Sequence, residues 1–229
     1  MSQLVPGVVA CPKCSASWSM ALFQSVDADT IQAQVDAILD DQFERQWCSG
    51  CGWSFRPEHP LLFVSHARRL WVVMQPLAER AQFASLENDV EDIVTDQFDQ
   101  ATPLIAERLA SVQPRLVFGQ HMLTEVVRAT WAGIDARLLE CAKLLTIRRN
   151  LPQLMPHGPF ELCFERFDGD APTCAIRALP GGERLGELAM APDILAEAGA
   201  AQGELRARFP DLFERPYVSA SRYLLDATV

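Results

Sequence analysis

Two C-x-x-C pairs, Cys11-Pro12-Lys13-Cys14 and Cys48-Ser49-Gly50-Cys51, constrain this chain more than any other feature. Two residues between cysteines let a tight turn aim both sulfurs at one ion, and two such turns supply four thiolates in a tetrahedron around zinc. Pro12 fixes φ in the first loop, while Gly50 and Gly52 open positive φ to the second. The 33 residues between Cys14 and Cys48 exceed the roughly 15–20 of a compact ribbon, so a further element has to fold between the two turns. The spacing therefore names Cys11, Cys14, Cys48 and Cys51 as ligands of one structural zinc ion. Two other uses of paired cysteines carry less weight. A disulfide needs an oxidising compartment, and the N-terminus lacks the basic region and apolar core of an export signal. A thioredoxin-like pair opens a helix after a strand, which neither motif does, and two pairs are more than a redox site needs. A site closed by four cysteines leaves no position for water or substrate, so it supports a fold and not a reaction.

Charge narrows the partners. The 229 residues carry 20 basic and 30 acidic side chains, a net charge of −10, and 49% hydrophobic composition places the chain among packed proteins. The deficit is even, with 13 basic and 18 acidic residues up to position 150 and 7 and 12 after it. No basic domain is hidden in the chain, and the pairs Arg68-Arg69 and Arg148-Arg149 are too isolated for a phosphate track, so the balance weighs against nucleic acid. The run from Gln75 to Gln100 holds Glu79, Glu87, Asp89, Glu91, Asp92, Asp96 and Asp99 against Arg80, and reads as a solvated helix face that a basic partner protein can use. No stretch reaches the roughly 20 apolar residues of a membrane span. The expectation is a cytoplasmic protein.

Periodicity divides the chain into three regions. In residues 1–76 the uncharged segment 17–26 predicts a strand. Asp27 or Asp29 then caps a helix with Ile31, Val35, Ile38 and Leu39 inward, which fills the gap between the turns. Leu61–Val64 and Leu70–Met74 read as a hairpin. In residues 77–150 the period is helical, with stripes at Leu86, Val90, Ile93, Val94 and Phe98, at Leu104, Ile105 and Leu109, at Met122 to Trp131, and at Leu138 to Leu145. Gln113-Pro114-Arg115 reads as a break between helices, and Pro152, Pro156, Gly158 and Pro159 as a linker. In residues 151–229, segments 160–167, 173–179 and 184–190 predict a β meander with turns at Asp168-Gly-Asp170 and Pro180-Gly-Gly182. A helix from Pro192 to Arg208 follows, then a strand or short helix over 217–225.

No catalytic constellation emerges. His59, His66, His121 and His157 lack ligand spacing among themselves, and no phosphate-binding glycine loop, nucleophile elbow or zinc-protease motif occurs. Cys141, Cys163 and Cys174 sit in apolar settings and read as buried small residues.

Cys11-Pro-Lys-Cys14, the distant Cys48-Ser-Gly-Cys51-Gly52, the apolar hairpin after it, and Val117-Phe-Gly-Gln-His-Met-Leu-Thr-Glu125 leading to Gly133-Ile-Asp135 and Leu139-Glu-Cys-Ala-Lys143 together resemble the CpXC family of bacterial proteins, over about residues 8–149. The resemblance implies a four-cysteine metal site at Cys11, Cys14, Cys48 and Cys51, and it implies no activity. Two departures are visible: Ser15 stands where such a turn often has glycine, and Ile134-Asp135-Ala136 lacks the paired acids of the pattern. Neither touches a ligand.

The expected fold is α+β: a zinc-ribbon-like β module with an inserted helix, a helical bundle, and a β meander with a closing helix. The expected function is non-enzymatic, a structural-zinc scaffold or adaptor for a protein partner. The five tryptophans and phenylalanines Trp18, Trp47, Trp53, Phe55 and Trp71 lie around the cysteine module, and any exposed there are candidate anchors. The alternatives are a zinc-ribbon nucleic-acid binder and a thiol redox or metal-handling protein.

Overall fold

Pro6 and Gly7 interrupt the N-terminal stretch enough to hide it from a periodicity reading, yet Gln3–Ala10 forms strand β1. The proline is tolerated because β1 is the edge of its sheet, where a missing N–H costs no ladder bond. The glycine is required by a close approach: a Cβ at position 7 would lie 2.6 Å from Cδ1 of Leu22. The computed structural model describes residues 2–99, 112–179 and 181–225, and its elements are of mixed α+β type, as expected. Backbone contacts divide the chain into two compact units, Met1–Pro76 with Val90–Thr124, and Leu77–Asp89 with Glu125–Val229.

In the first unit β2 (Ser17–Asp27) pairs antiparallel with β1. It then pairs parallel with β5 (Leu61–Ser65), and a parallel neighbour needs a crossover of a dozen residues or more. Residues 28–60 are that crossover. They contain helix α1 (Gln32–Leu39) and the short ribbon β3 (Gln46–Trp47) and β4 (Ser54–Phe55), so the long interval between the cysteine pairs holds the expected helix. β6 (Leu70–Gln75) closes the expected hairpin on β5, and both strands alternate buried with half-buried residues. Val26, Val35, Ile38, Phe63, Val72 and Met74 are almost completely buried in this unit.

Asp29 does not cap α1. Its N-cap is Ile31, with no side-chain bond. The Asp29 carboxylate accepts instead from the Ser65 hydroxyl at 2.7 Å and from the His66 and Ala67 amides at 2.7 and 3.1 Å, holding the β5–β6 turn. Desolvation opposes ionisation there, and the Ser65 and backbone donors overcome it, so the carboxyl lies below its ordinary range.

The segment after Pro114 also departs from expectation. Gln113–Phe118 is strand β7, parallel to β6, with Leu116, Val117 and Phe118 buried. Pro114 reads as a break only if the flanking elements are helices; near the start of an edge strand it is compatible with the ladder. The expected stripe at Leu104, Ile105 and Leu109 lies outside the described residues. In α2 (Phe83–Asp99), Val90 is buried but Ile93 is 47% exposed, outside the inward set assigned to it.

The acidic run is not wholly a solvated face. Glu87 is 1% exposed; it accepts from the Tyr217 amide at 2.8 Å and pairs with Arg222 at 3.1 Å. Arg80, in a 3-10 turn at Leu77–Gln82, is equally buried against Glu161, Tyr217 and Ser221. A buried charge is retained only with such partners.

Helix α3 (Gly119–Trp131) ends as expected at Gly133. With φ +73, Gly133 donates to Thr130 O and Ile134 donates to Ala129 O, the two bonds of a Schellman termination. Asp135 then caps α4 (Ala136–Leu154), accepting from the Leu138 amide at 2.9 Å. That helix does not stop at Arg149. It runs through Pro152 to Leu154, which is 1% exposed, so burial of the last turn outweighs the bond the proline removes. The expected linker shrinks to a 3-10 turn and Gly158.

The meander forms as read, with β8 (Phe160–Asp168), β9 (Ala171–Ala178) and β10 (Arg184–Ala189) in the order β10-β9-β8. The closing helix is two, α5 (Ile194–Ala200) and α6 (Gln202–Arg208), followed by α7 (Asp211–Glu214) and the terminal helix α8 (Arg222–Leu225).

Candidate metal centre

The two cysteine turns are the same local structure written twice. In the first, Cys11 N–H donates to Ala16 O at 2.8 Å and Ser15 N–H to Cys11 O at 2.9 Å; in the second, Cys48 donates to Trp53 O at 2.9 Å and Gly52 to Cys48 O at 2.8 Å. The fifth residue of each turn is left-handed, Ser15 at φ +60 and Gly52 at φ +68. Ser15 thus occupies the place of a glycine and adopts the glycine conformation at a backbone cost of about 1–2 kcal/mol.

A prediction follows from this equivalence. A Cβ on Gly52 would meet nothing within 4 Å, so Gly52→Ala isolates the backbone effect and should destabilise the ribbon by about 1–2 kcal/mol. Ser15→Gly should be neutral or stabilising by up to about 1 kcal/mol, because relief of strain exceeds the added entropy of the unfolded chain. Urea midpoints followed by tryptophan fluorescence measure both. Equal effects of the two substitutions would show that the turns are not equivalent.

The turns bring Cys11, Cys14, Cys48 and Cys51 together, with all four sulfurs within 4.8 Å of one another. Cys11 Sγ lies 3.7 Å from Cys51 Sγ, and Cys14 Sγ 3.5 Å from Cys48 Sγ. A disulfide would require about 2.05 Å. A tetrahedron with metal–sulfur bonds of about 2.3 Å separates its sulfurs by about 3.8 Å, so the spacing fits an ion at the centre. Cys11 and Cys48 are buried and Cys14 and Cys51 exposed. At Cys48, burial opposes ionisation, but the Cys51 and Gly50 amides and the neighbouring thiols favour it and bring the thiol down to about 7. At Cys14 the Ala16 amide favours the thiolate, while hydrogen bonds to Cys48 and Cys51 push the thiol up to about 12. Four sulfurs this close ionise together only around a cation.

The side chains around the cluster have defined roles. Lys13 Nζ sits 4.9 Å from the Trp53 ring centroid, and Trp18 meets Phe55 edge-on at 5.9 Å. His59 is not part of the cluster: its Nε2 pairs with Glu44 Oε2 at 2.6 Å, while Glu44 Oε1 accepts from the Phe23 amide at 2.8 Å. Burial lowers the His59 pKa, and the hydrogen bond and charge of Glu44 more than compensate, leaving it above the ordinary imidazole value. Cys141, Cys163 and Cys174 are buried thiols apart from the cluster, as expected. Desolvation first, then nearby carboxylates, raises the Cys141 thiol to about 11 and Cys163 well above its usual range.

The family model described as CpXC protein matches residues 9–143, more than half of the chain and inclusive of both cysteine pairs. The chain belongs to the CpXC family. No curated protein and no solved structure matches it. The CpXC match runs from the end of β1 into α4, so it takes in both cysteine turns, β7 and the Gly133–Asp135 helix boundary. Among the described residues no helix is long and apolar enough to cross a membrane.

Proposed function

We propose that Cys11, Cys14, Cys48 and Cys51 hold one zinc ion as a structural centre, and that the ribbon it fixes presents a surface to a protein partner. The observation that carries this reading is the convergence of four sulfurs, at tetrahedral spacing, from two turns of one hydrogen-bond pattern. Soft thiolates in a closed set of four suit zinc, and a closed set leaves no position for a substrate. When bound, the ion supplies the positive charge that lets all four thiols ionise. The chain's own part is to aim the sulfurs and to donate the Gly50 and Cys51 amides to Cys48. The partner reading is supported by Trp47 and Trp53, which stay 70% and 48% exposed beside the ribbon. Exposed tryptophans of this kind act as anchors in protein interfaces. A nucleic-acid surface finds no such support, since Arg149 is engaged with Glu197. Three further cysteines kept as buried thiols suit a reducing, cytoplasmic setting.

Elemental mass spectrometry of untagged protein tests the centre, with about one zinc per chain expected. Metal-free protein whose thiols alkylate rapidly without chelator would overturn it in favour of thiol redox chemistry. Capture of proteins from lysate, run in parallel on wild type and on a Trp47→Ala, Trp53→Ala variant, tests the surface. Loss of a captured band in the variant is expected, and identical capture rules the tryptophans out as anchors.

A further inference from the structure

The segments that build the cysteine cluster are almost free of charge. Residues 1–26 and 46–55 carry both cysteine turns and the ribbon, and their one charged side chain is Lys13. Arg45 and Arg56 border the second segment, and each is engaged with Asp41. Lys13 stands immediately before Cys14, and Trp53 two residues after Cys51. The Lys13 ammonium lies 4.9 Å from the Trp53 ring centroid, inside the roughly 6 Å over which a cation is attracted to an aromatic face. A side chain of the first turn is thus seated on the second.

Lys13 and Trp53 flank the two exposed cysteines, Cys14 and Cys51, while Cys11 and Cys48 are 1% and 2% exposed. Four thiolates around one divalent cation leave two negative charges in excess. The chain offsets part of that excess with dipoles, the Ala16 amide at Cys14 and the Gly50 and Cys51 amides at Cys48. A backbone N–H carries only a partial charge, so a full positive charge beside the cluster stabilises the thiolates further. A lysine free in solvent supplies little of this, because its flexible stem leaves the ammonium mobile and strongly hydrated. Seating on Trp53 removes that freedom and keeps the charge beside the cysteine turns.

We propose that Lys13, held on Trp53, is the counter-ion of the metal centre and latches the two cysteine turns together. The proposal rests on the structural-zinc reading above and adds a positioning residue to it. Lys13 is no ligand. Its charge offsets the excess on the thiolates, and its contact with Trp53 ties the turn of Cys14 to the turn of Cys51. Both effects are lost when the ammonium is removed, and the second is lost when the ring is removed. Trp53 keeps 48% of its surface exposed, so the contact is compatible with the anchor role assigned to it.

The test is zinc affinity and zinc release on the full-length protein, with zinc alone as the probe. Affinity is read by competition with a chromophoric chelator, and release as a first-order rate in chelator excess. Both are measured at about 0.01 M and about 1 M salt, between which the Debye length falls from about 30 to about 3 Å. Lys13 is exposed, and Lys13→Met keeps most of its stem while removing the charge. That variant should bind zinc about tenfold more weakly and release it faster at low salt, with a loss of less than about threefold at high salt. Lys13→Arg keeps the charge and stacks on aromatic faces, so it should bind within about twofold of wild type. Trp53→Leu should weaken zinc about threefold, and in that background Lys13→Met should cost less than it does alone. Wild-type affinity in Lys13→Met at low salt overturns the proposal, as does a loss that salt leaves unchanged or that Lys13→Arg shares. Additive effects of the Lys13 and Trp53 changes overturn it too, since a latch acts as a unit. Wild type that holds no zinc refutes the structural-zinc reading and the proposal with it, a result obtained before any substitution is made.

Discussion

Cys48→Ser is expected to release the metal and unfold the ribbon. Cys48 is 2% exposed, and the sulfur removed accepts the Gly50 and Cys51 amides and lies 3.5 Å from Cys14 Sγ. Structural zinc in small modules contributes roughly 10–16 kcal/mol of apparent binding free energy, largely coupled to folding. That is as large as the roughly 5–15 kcal/mol total stability of an ordinary domain, so no compensation by the surrounding sheet is expected. Chelator added to wild type should reproduce the variant, with tryptophan fluorescence reporting the change through Trp47 and Trp53. Among the described residues, the hydrophobic core that contains Leu139, Leu162, Phe164 and Ile176 includes none from the unit that holds the cysteine cluster. Slow hydrogen exchange in β8 and β9 should therefore survive metal loss. A Cys48→Ser protein that keeps its metal, or keeps its ribbon without metal, would refute the structural role.

The second large effect is expected at Lys143, the last residue of the Leu139–Lys143 segment that carries part of the family resemblance. The residue is 2% exposed, and its ammonium pairs with two carboxylates, Glu125 and, at 2.6 Å, Glu140. Each carboxylate has one further donor: Phe164 N–H at 2.6 Å for Glu125 and Ala220 N–H at 2.7 Å for Glu140. Burial raises the Glu125 carboxyl and Lys143 pulls it back, with Glu140 raising it again, to about 7. Burial would lower Lys143, but the two carboxylates hold it well above the ordinary lysine range. Lys143→Met leaves two buried carboxylates with no cation and should cost about 3–5 kcal/mol at pH 7.5. Glu125→Gln keeps an acceptor for Phe164 and a one-to-one ion pair, and should cost about 1 kcal/mol or less.

The pH dependence separates charge from packing. Without Lys143 the folded-state Glu125 pKa lies further above its unfolded value, so the folded state takes up a proton that the unfolded chain does not. Stability of Lys143→Met should then rise as pH falls from 7.5 toward the ordinary carboxyl range, and wild type should gain less. Urea denaturation at pH 7.5 and 5.5 measures the difference. A Lys143→Met penalty that is the same at both pH values would mean the loss is one of packing.

The parts legible in the sequence are those set by neighbours along the chain. Two cysteines spaced by two residues, with a residue able to take positive φ after the second, form a sulfur-aiming turn wherever they occur, which is why the cluster and even the oddity at Ser15 stood out. The β5–β6 hairpin, the Gly133 termination and the Asp135 cap were readable for the same reason: each is stabilised by bonds within a few residues. The α5–α6 break at Ala201 and the extension of α4 through Pro152 were not, because local propensity is outweighed there by burial of residues such as Leu154.

Local chemistry and simple counts thus account for the clustering of the four cysteines, the α+β class and the charge balance. Tertiary structure alone decided which polar residues are interior and which strand is an edge. Glu87, Arg80, Glu125 and Lys143 sit on helices or turns, and each has a partner between 18 and 141 residues away. A charge can be buried only when a distant group meets it, and no local pattern records that group. Strand order is equally non-local: among the described residues β1 has β2 as its one neighbour, because β2 takes β5 on its other side, and Val8 and Ala10 line a cleft.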